Sequence, residues 1–514
     1  MSTPLGPRVK GAYYVTTPIY YANAEPHIGH TYTTVLVDTL VRWHRRLGLT
    51  TWSVSGTDEH GEKMVEAAAA RGLDPARFTE QVSAVHQRTW AELGLAASRF
   101  VRTTDPQHER NVQALLQRVY DAGWIEPREY EGLYCVGCER FLTERDMEGG
   151  LCRDHERKPE VRHERNYFFR MSREFGWLRQ HIQENPGFIR PERYRNEALA
   201  MLSSESGLGD LSISRPKTRL DWGIELPFDR DHVCYVWFDA LISYLTGAGF
   251  PDDPEFPARW ANVEHLIGKD ILKPHAVFWP IMLKAMGLAP YRHLSVHGYW
   301  TMDERKVSKS LGNVISPLAM RERYGFEAFR YFLLREMSFG NDASFSEEAL
   351  VERVNADLAN NLGNLVSRTL NLVEKLCGGV IPEAAAAGGA ERALVGEAEA
   401  AERGVAEQME ERRFHDALAR IFAFSGAVNR YLDAEAPWKA AKQPGGEAAV
   451  RRALAHASQA LHRIADLLEP FLPGLAGDIA RRLGAPGERI TKGDPLVARL
   501  AVPPESADES GDVL

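Results

Sequence analysis

Cysteine is scarce in this sequence: five residues in 514, at positions 135, 138, 152, 234 and 377. A secreted disulfide scaffold of this length uses many more. Long apolar runs are missing too. None approaches the roughly 18 residues that a membrane helix needs, so no membrane association is expected. The uncharged stretch 11–24 is rich in Tyr, Thr, Pro and Asn and makes a poor signal peptide. Nor is there an excess of positive charge: 71 acidic against 62 basic residues leave a net −9. A uniformly basic nucleic-acid coat protein is therefore excluded. An acidic enzyme that binds RNA through local basic patches is not, because polyanions respond to surface fields and not to the total. No internal repeat is found. What remains is an ordinary globular composition, 44% hydrophobic and 26% charged. At roughly 100–200 residues per domain it is long enough for three or four domains. A cytoplasmic protein is expected.

The first 120 residues alternate between strand and helix patterns. Residues 12–17 are β-rich, 18–26 read as a turn, and helical periodicity runs from Ile28 to Leu47, stopping at Gly48. A second strand is predicted over 50–55. Strand, loop, helix, strand is the βαβ pattern, which predicts a parallel sheet with its ligands at the carboxyl ends of the strands. The stretch 124–170 breaks this rhythm, being short of aliphatic residues and dense in charge, and reads as a small inserted module. Strands are predicted again at 233–237, 264–267 and 294–300, and a helix over 274–286 despite Pro280. Beyond about Ser344 the pattern is helical at 347–377, 390–411, 415–432 and 447–468, with a linker at 384–389. The polar, acidic end, 503–514, is expected to fray.

Three cysteines fall in the inserted module, as Cys135-x2-Cys138, thirteen residues, then Cys152-x2-His155. Two knuckles of x2 spacing bring four soft or borderline ligands to the corners of a tetrahedron, which suits a structural Zn²⁺. His163 competes as fourth ligand, but Cys152-x2-His155 matches the knuckle. The module has too little apolar sequence for a core, so the metal supplies its folding energy. With all four ligands from protein, the metal is structural and not catalytic.

Two further motifs suit phosphate. His27-Ile28-Gly29-His30 sits between the first strand and the first long helix. A helix N-terminus presents backbone N–H groups and positive dipole to an anion. The two imidazoles lie about one turn apart, and Gly29 lets a nucleotide approach the backbone. The second motif is Lys306-Val307-Ser308-Lys309-Ser310, followed by Leu311-Gly312-Asn313. Its two lysines and two serines can follow charge developing on a leaving pyrophosphate.

With these motifs the sequence resembles the class I aminoacyl-tRNA synthetases, and within them the methionyl-tRNA synthetases of the bacterial kind with one zinc knuckle. The resemblance runs from Tyr13 to about Leu472. It rests on the HIGH-type signature at 27–30, the KMSKS-type signature at 306–310 and the Cys3His knuckle. It also takes in Val236-Trp237-Phe238-Asp239-Ala240, Ile267-Gly268-Lys269-Asp270 and Ala436-Pro437-Trp438. One departure is visible: Val307 stands where the family usually has Met. It is apolar in both cases, so altered loop packing is expected and not lost chemistry.

The resemblance implies an α/β Rossmann-like parallel-sheet catalytic domain with a small zinc-binding insertion, followed by an all-α anticodon-binding helical bundle. The corresponding boundaries are 1–123 and 173–304 for the two halves of the catalytic domain and 124–172 for the insertion. Residues 305–345 hold the KMSKS-type loop and stem-contact region, 346–495 the helical domain and 496–514 a flexible tail. It implies activation of L-methionine with ATP-Mg²⁺ and transfer to the terminal adenosine of tRNA(Met), initiator tRNA included. His27, His30, Lys306 and Lys309 would be catalytic, and ATP would also meet Gly29, Gly298, Ser308 and Ser310. Methionine would lie among Pro18, Ile19, Tyr21, Trp237, Ala240, Tyr244, Ile271 and His275, with Asp58 on its ammonium group and Asp270 ordering the site. Asn364, Arg368 and Trp438 would read the anticodon. Cys135, Cys138, Cys152 and His155 would hold the zinc. The family's appended C-terminal dimerisation module is not found, and a monomer is expected.

Three other readings compete. A synthetase for leucine, isoleucine or valine usually needs a large editing domain, because one methylene discriminates by only about 1–3 kcal/mol. No segment between the two signatures is long enough for one. A non-catalytic RNA-binding paralogue would not keep His27, His30, Lys306 and Lys309 intact. A small-molecule nucleotidyltransferase leaves Trp438 and the helical domain without a purpose.

Overall fold

Strand β1 (Ala12–Tyr21) runs four residues into the predicted turn 18–26. It can do so because its register with β2 (Thr50–Asp58) shifts between Thr16 and Ile19, so Pro18 falls where the ladder lapses and its missing N–H costs no bond. The computed structural model describes residues 11–136, 140–142, 144–203, 208–302, 305–306, 314–383 and 386–502. They belong to two units, Met1–Tyr299 and Trp300–Leu514.

In the first unit α1 (Ile28–Arg46) joins β1 to β2, and Gly48 takes the positive φ of 79° that ends the helix turn. Helices α2 (Glu62–Ala69) and α3 (Pro75–Glu92) lead to β3 (Arg99–Arg102), and α4 (Pro106–Asp121) follows. Six strands form one parallel sheet in the order β3, β2, β1, Val263–Gly268, His293–His297, Ile189–Arg190. From β1 the chain first builds outward through β2 and β3, and returns later to the other flank. The order therefore reverses at β1, which opens a crevice at the carboxyl ends of β1 and Val263–Gly268. Both faces of the sheet are covered, so its strands read as near-continuous apolar runs: all six residues of Val263–Gly268 are buried.

The stretch that broke the rhythm is a long antiparallel pair, Ile125–Cys135 against Glu160–Phe169. The run at 233 proves to be two elements. A strand, Asp229–Cys234, ends before a buried helix, Val236–Ala248, so Trp237 lies in a helix turn and not in a strand. Its β-rich composition reflects burial and not local conformation. The predicted helix at 274 opens with a wide turn, Pro274–Phe278, before Trp279–Ala285. Pro280 comes directly after that wide turn, where the regular helical hydrogen-bond ladder is already interrupted.

The second unit has a small sheet of Arg305–Lys306, Trp300–Met302 and Ala343–Ser344, which composition did not signal. The rest is helical. Gly389–Glu410, Phe414–Glu435 and Glu447–Leu468 agree with the periodic segments to within a few residues, and the segment 347–377 is divided into Glu347–Arg353, a wider-wound stretch Val354–Gly363 and Asn364–Cys377. No helix among the described residues is long and apolar enough to cross a membrane.

Candidate functional site

The tip of α1 is built by its own histidines. His27 is the N-cap, and its Nδ1 accepts the Gly29 N–H at 3.0 Å. His30 returns the bond, its Nδ1 accepting the His27 N–H at 3.3 Å. This is a capping box made with imidazoles. An N–H can donate only to a bare ring nitrogen, so in both rings the proton sits on Nε2. The rings stack at 3.8 Å and present those Nε2–H groups as donors beside the helix N-terminus, whose first turn has no acidic residue. Gly29 is required here: a Cβ would stand 2.9 Å from His27 Cε1. Thr31 and Thr34 return their hydroxyls to the carbonyls of His27 and His30, so that part of the threonine-rich turn is satisfied internally.

Other candidate residues line the same crevice. Ile19 and Tyr21 end β1, and Tyr21 pairs in register with Asp58, the last residue of β2. Pro18 is buried just before them. Asp58 is only 4% exposed. Asp270 and Ile271 follow Val263–Gly268, where a Cβ on Gly268 would meet Asp270 Oδ1 at 2.7 Å. Gly298 follows His293–His297, and its carbonyl accepts from His297 Nδ1 at 2.7 Å.

The helix Val236–Ala248, called here the pocket helix, carries Trp237, Ala240 and Tyr244. Its ring faces meet those of neighbouring elements: Tyr21 and Trp237 lie 6.4 Å apart edge-on, Trp237 and His275 6.2 Å. The Ile271 carbonyl can only accept, so His275 Nδ1 donates to it at 2.9 Å. His275 Nε2 is then the acceptor, and Tyr244 Oη donates to it at 2.7 Å. Burial pulls the His275 imidazole down to about 4, so it stays neutral in ordinary buffers. Burial likewise pushes the Tyr244 phenol well up. The wall is thus uncharged and aromatic, with its hydroxyl proton committed.

In the second unit Asn364 and Arg368 share the helix Asn364–Cys377. Arg368 donates to Asp433 Oδ1 at 2.6 Å and lies over the Trp438 ring at 4.8 Å. Trp438 is on the short helix Pro437–Ala440, whose N-cap, Ala436, has a φ of 40° that L residues rarely adopt. Lys306 ends the strand Arg305–Lys306. Ser308, Lys309 and Ser310 lie outside the described residues, as does Cys138.

Cys135, Cys152 and His155 come together, with one donor atom from each within 4.8 Å of the others. Cys152 is presented by a two-residue hairpin, Met147–Glu148 against Leu151–Cys152, turned by Gly149 and Gly150, both at positive φ. Two buried sulfurs and an imidazole suit a soft or borderline cation.

Several buried histidines escaped the sequence reading. His86 donates from Nε2 to the Ala24 carbonyl at 2.9 Å and lies 5.7 Å from the His30 ring. His297 Nε2 meets Thr33 Oγ1 at 2.7 Å, tying Gly298 to α1. His265 accepts from Trp279 and backs the Tyr244 ring at 4.4 Å. His60 and His108 both donate to Asp239. Only His60, two residues past Asp58, had a local signal.

Comparison with known proteins agrees across the chain. A family model described as "tRNA synthetases class I (M)" matches residues 13–157 and 146–370, and one for the "Anticodon binding domain of methionyl tRNA ligase" matches 381–502. The methionine–tRNA ligase of Deinococcus radiodurans is 43% identical over 98% of this chain and 74% of its own length. That of Synechocystis sp. is 42% identical over 91% of this chain and 89% of its own. Among solved structures, Mycobacterium tuberculosis methionyl-tRNA synthetase in complex with methionyl-adenylate superposes with a TM-score of 0.91 at 38% identity, covering 95% of this chain and 100% of that one.

Proposed function

This chain belongs to the methionyl-tRNA synthetase family of class I, and from that membership we propose that it is a methionine–tRNA ligase with the adenylation site at the switch point of its parallel sheet. The observation that supports the reading is the imidazole capping pair at the tip of α1, which follows the switch-point strand β1 and leaves each ring's proton on Nε2.

In the first step the methionine carboxylate attacks the α-phosphorus of ATP in line, and pyrophosphate leaves. Asp58 holds the ammonium group, and Tyr21, Trp237 and Tyr244 offer ring faces to the thioether. Each good sulfur–aromatic contact contributes roughly 0.3–1.5 kcal/mol. His27 and His30 donate from Nε2 to the phosphate oxygens, where the helix dipole adds to them. Because the donors are neutral and already fixed by the cap, they stabilise the charge that develops without having to reorganise. Lys306 and Lys309 act on the leaving pyrophosphate, and Mg²⁺ travels with ATP. In the second step the terminal adenosine of tRNA(Met), initiator tRNA included, takes the methionyl group. No protein nucleophile is needed in either step; positioning and electrostatics supply the catalysis.

ATP–pyrophosphate exchange across the twenty amino acids tests this. Methionine should stimulate exchange best; best stimulation by leucine or isoleucine would overturn the pocket.

The Cys135, Cys152 and His155 donors, with Cys138, would hold one structural Zn²⁺. Metal analysis should find about one zinc per chain, lost in Cys152→Ser together with thermal stability of the module. A zinc-free native protein would refute the assignment. We also infer that the protein works in the cytoplasm as a monomer, since one chain supplies the residues of both proposed sites. Sedimentation at micromolar concentration decides the second point.

A further inference from the structure

The pocket helix is gripped on a face turned away from its pocket. At 100° per residue, Trp237, Ala240 and Tyr244 fall within about 60° of one another, and Asp239 and Thr246 lie about 100–180° from them. Asp239 is fully buried. Its Oδ2 accepts from His60 Nδ1 at 2.7 Å and its Oδ1 accepts from His108 Nε2 at 2.7 Å. His108 reaches the helix a second time, two turns on, through Nδ1 and Thr246 Oγ1 at 3.2 Å, and Asn111 Nδ2 donates to the same hydroxyl at 3.0 Å. His108 and Asn111 belong to α4, whereas His60 lies two residues beyond Asp58. One carboxylate therefore joins the end of β2, α4 and the pocket helix.

The chemistry of the joint demands a carboxylate. Both carboxylate oxygens can only accept, so both ring nitrogens facing them donate. Burial alone would raise the Asp239 carboxyl, but His60 and the hydrogen bonds from His108 and His60 outweigh it and hold the group below its usual range. On His60 burial is again outweighed, by Asp239, and the imidazole is held above its usual range. The other charges nearby are Glu109 on α4, itself raised by burial, and Glu59, which is taken up by Arg102 at 2.8 Å and 2.9 Å. Apolar residues would hold a buried helix at least as firmly. What a two-oxygen acceptor adds is direction: it fixes how far the helix is rotated.

We infer that Asp239 is a positioning residue for methionine: through His60 and His108 it sets the rotation of the pocket helix relative to Asp58, so that the side-chain wall and the ammonium site move as one body. The inference rests on the pocket reading given above. A misplacement of about 1 Å can cost about a hundredfold in rate.

The test is ATP–pyrophosphate exchange on the full chain with four variants. Asp239→Asn and His60→Leu each remove an acceptor or donor, and KM for methionine should rise about tenfold to a hundredfold while KM for ATP stays within about twofold. His60→Asn and His108→Gln put an amide N–H where the lost ring nitrogen stood, and should bring KM for methionine to within about threefold of the wild type. If Asp239→Asn fails to fold, the His60 pair still decides. Equal KM for His60→Leu and His60→Asn, or parallel rises in both substrates' KM, would overturn the inference. Absence of methionine-dependent exchange in the wild type would instead overturn the pocket reading beneath it.

Discussion

Replacing His30 by alanine should slow adenylate formation by about 10²–10³-fold, the loss seen when one preorganised donor to a developing oxyanion is removed. The effect is argued from the proton. The His30 Nδ1 is spent on the His27 N–H, so the nitrogen that bears hydrogen is Nε2, at the tip of α1. Alanine removes both groups, and the cap alone is worth about 0.5–2 kcal/mol. Asparagine separates the two, because its Oδ1 can accept the His27 N–H but nothing reaches the Nε2 position. His30→Asn should therefore recover the melting temperature and stay as slow as His30→Ala in single-turnover assays. His30→Gln, whose amide reaches farther, should recover part of the rate. A His30→Ala enzyme within about fivefold of the wild type would sink the assignment of these rings to phosphate.

Trp438→Ala should lower kcat/KM for tRNA charging by about 10–100-fold and leave methionine-dependent exchange within about twofold, since one stacked base contributes roughly 1–3 kcal/mol. More than the ring is lost. The Arg368 guanidinium lies over the indole and is steered by Asp433, so removing Trp438 also frees the group proposed to reach a base edge. Ala436 makes the same point from the backbone. A left-handed φ on a residue with a Cβ is strained, and here it turns the chain so that Trp438 comes back toward Arg368. Trp438→Phe keeps a stacking face and should retain most of the charging. Equal losses in charging and exchange would show that the substitution damages the whole protein, and would remove Trp438 from the anticodon site.

What depends on near neighbours is legible in the amino-acid order alone. The start of α1, the capping pair three residues apart and the Cys152-x2-His155 knuckle are visible because their partners lie within one turn or one hairpin. So are the long helices of the second unit, whose apolar spacing is periodic. Where local pattern and tertiary context disagreed, context won. Pro18 continues a strand because the register slips there, and Val236 and Trp237 open a helix although the run 233–237 reads as a strand. The partners of the buried histidines come from long-range packing. His60 and His108 reach Asp239 across 179 and 131 residues, and Tyr244 meets His275 across 31. No spacing rule connects positions so far apart. A buried carboxylate must find its donors wherever the parallel sheet brings its crossover helices together, and that meeting is set by strand order, which no single segment encodes.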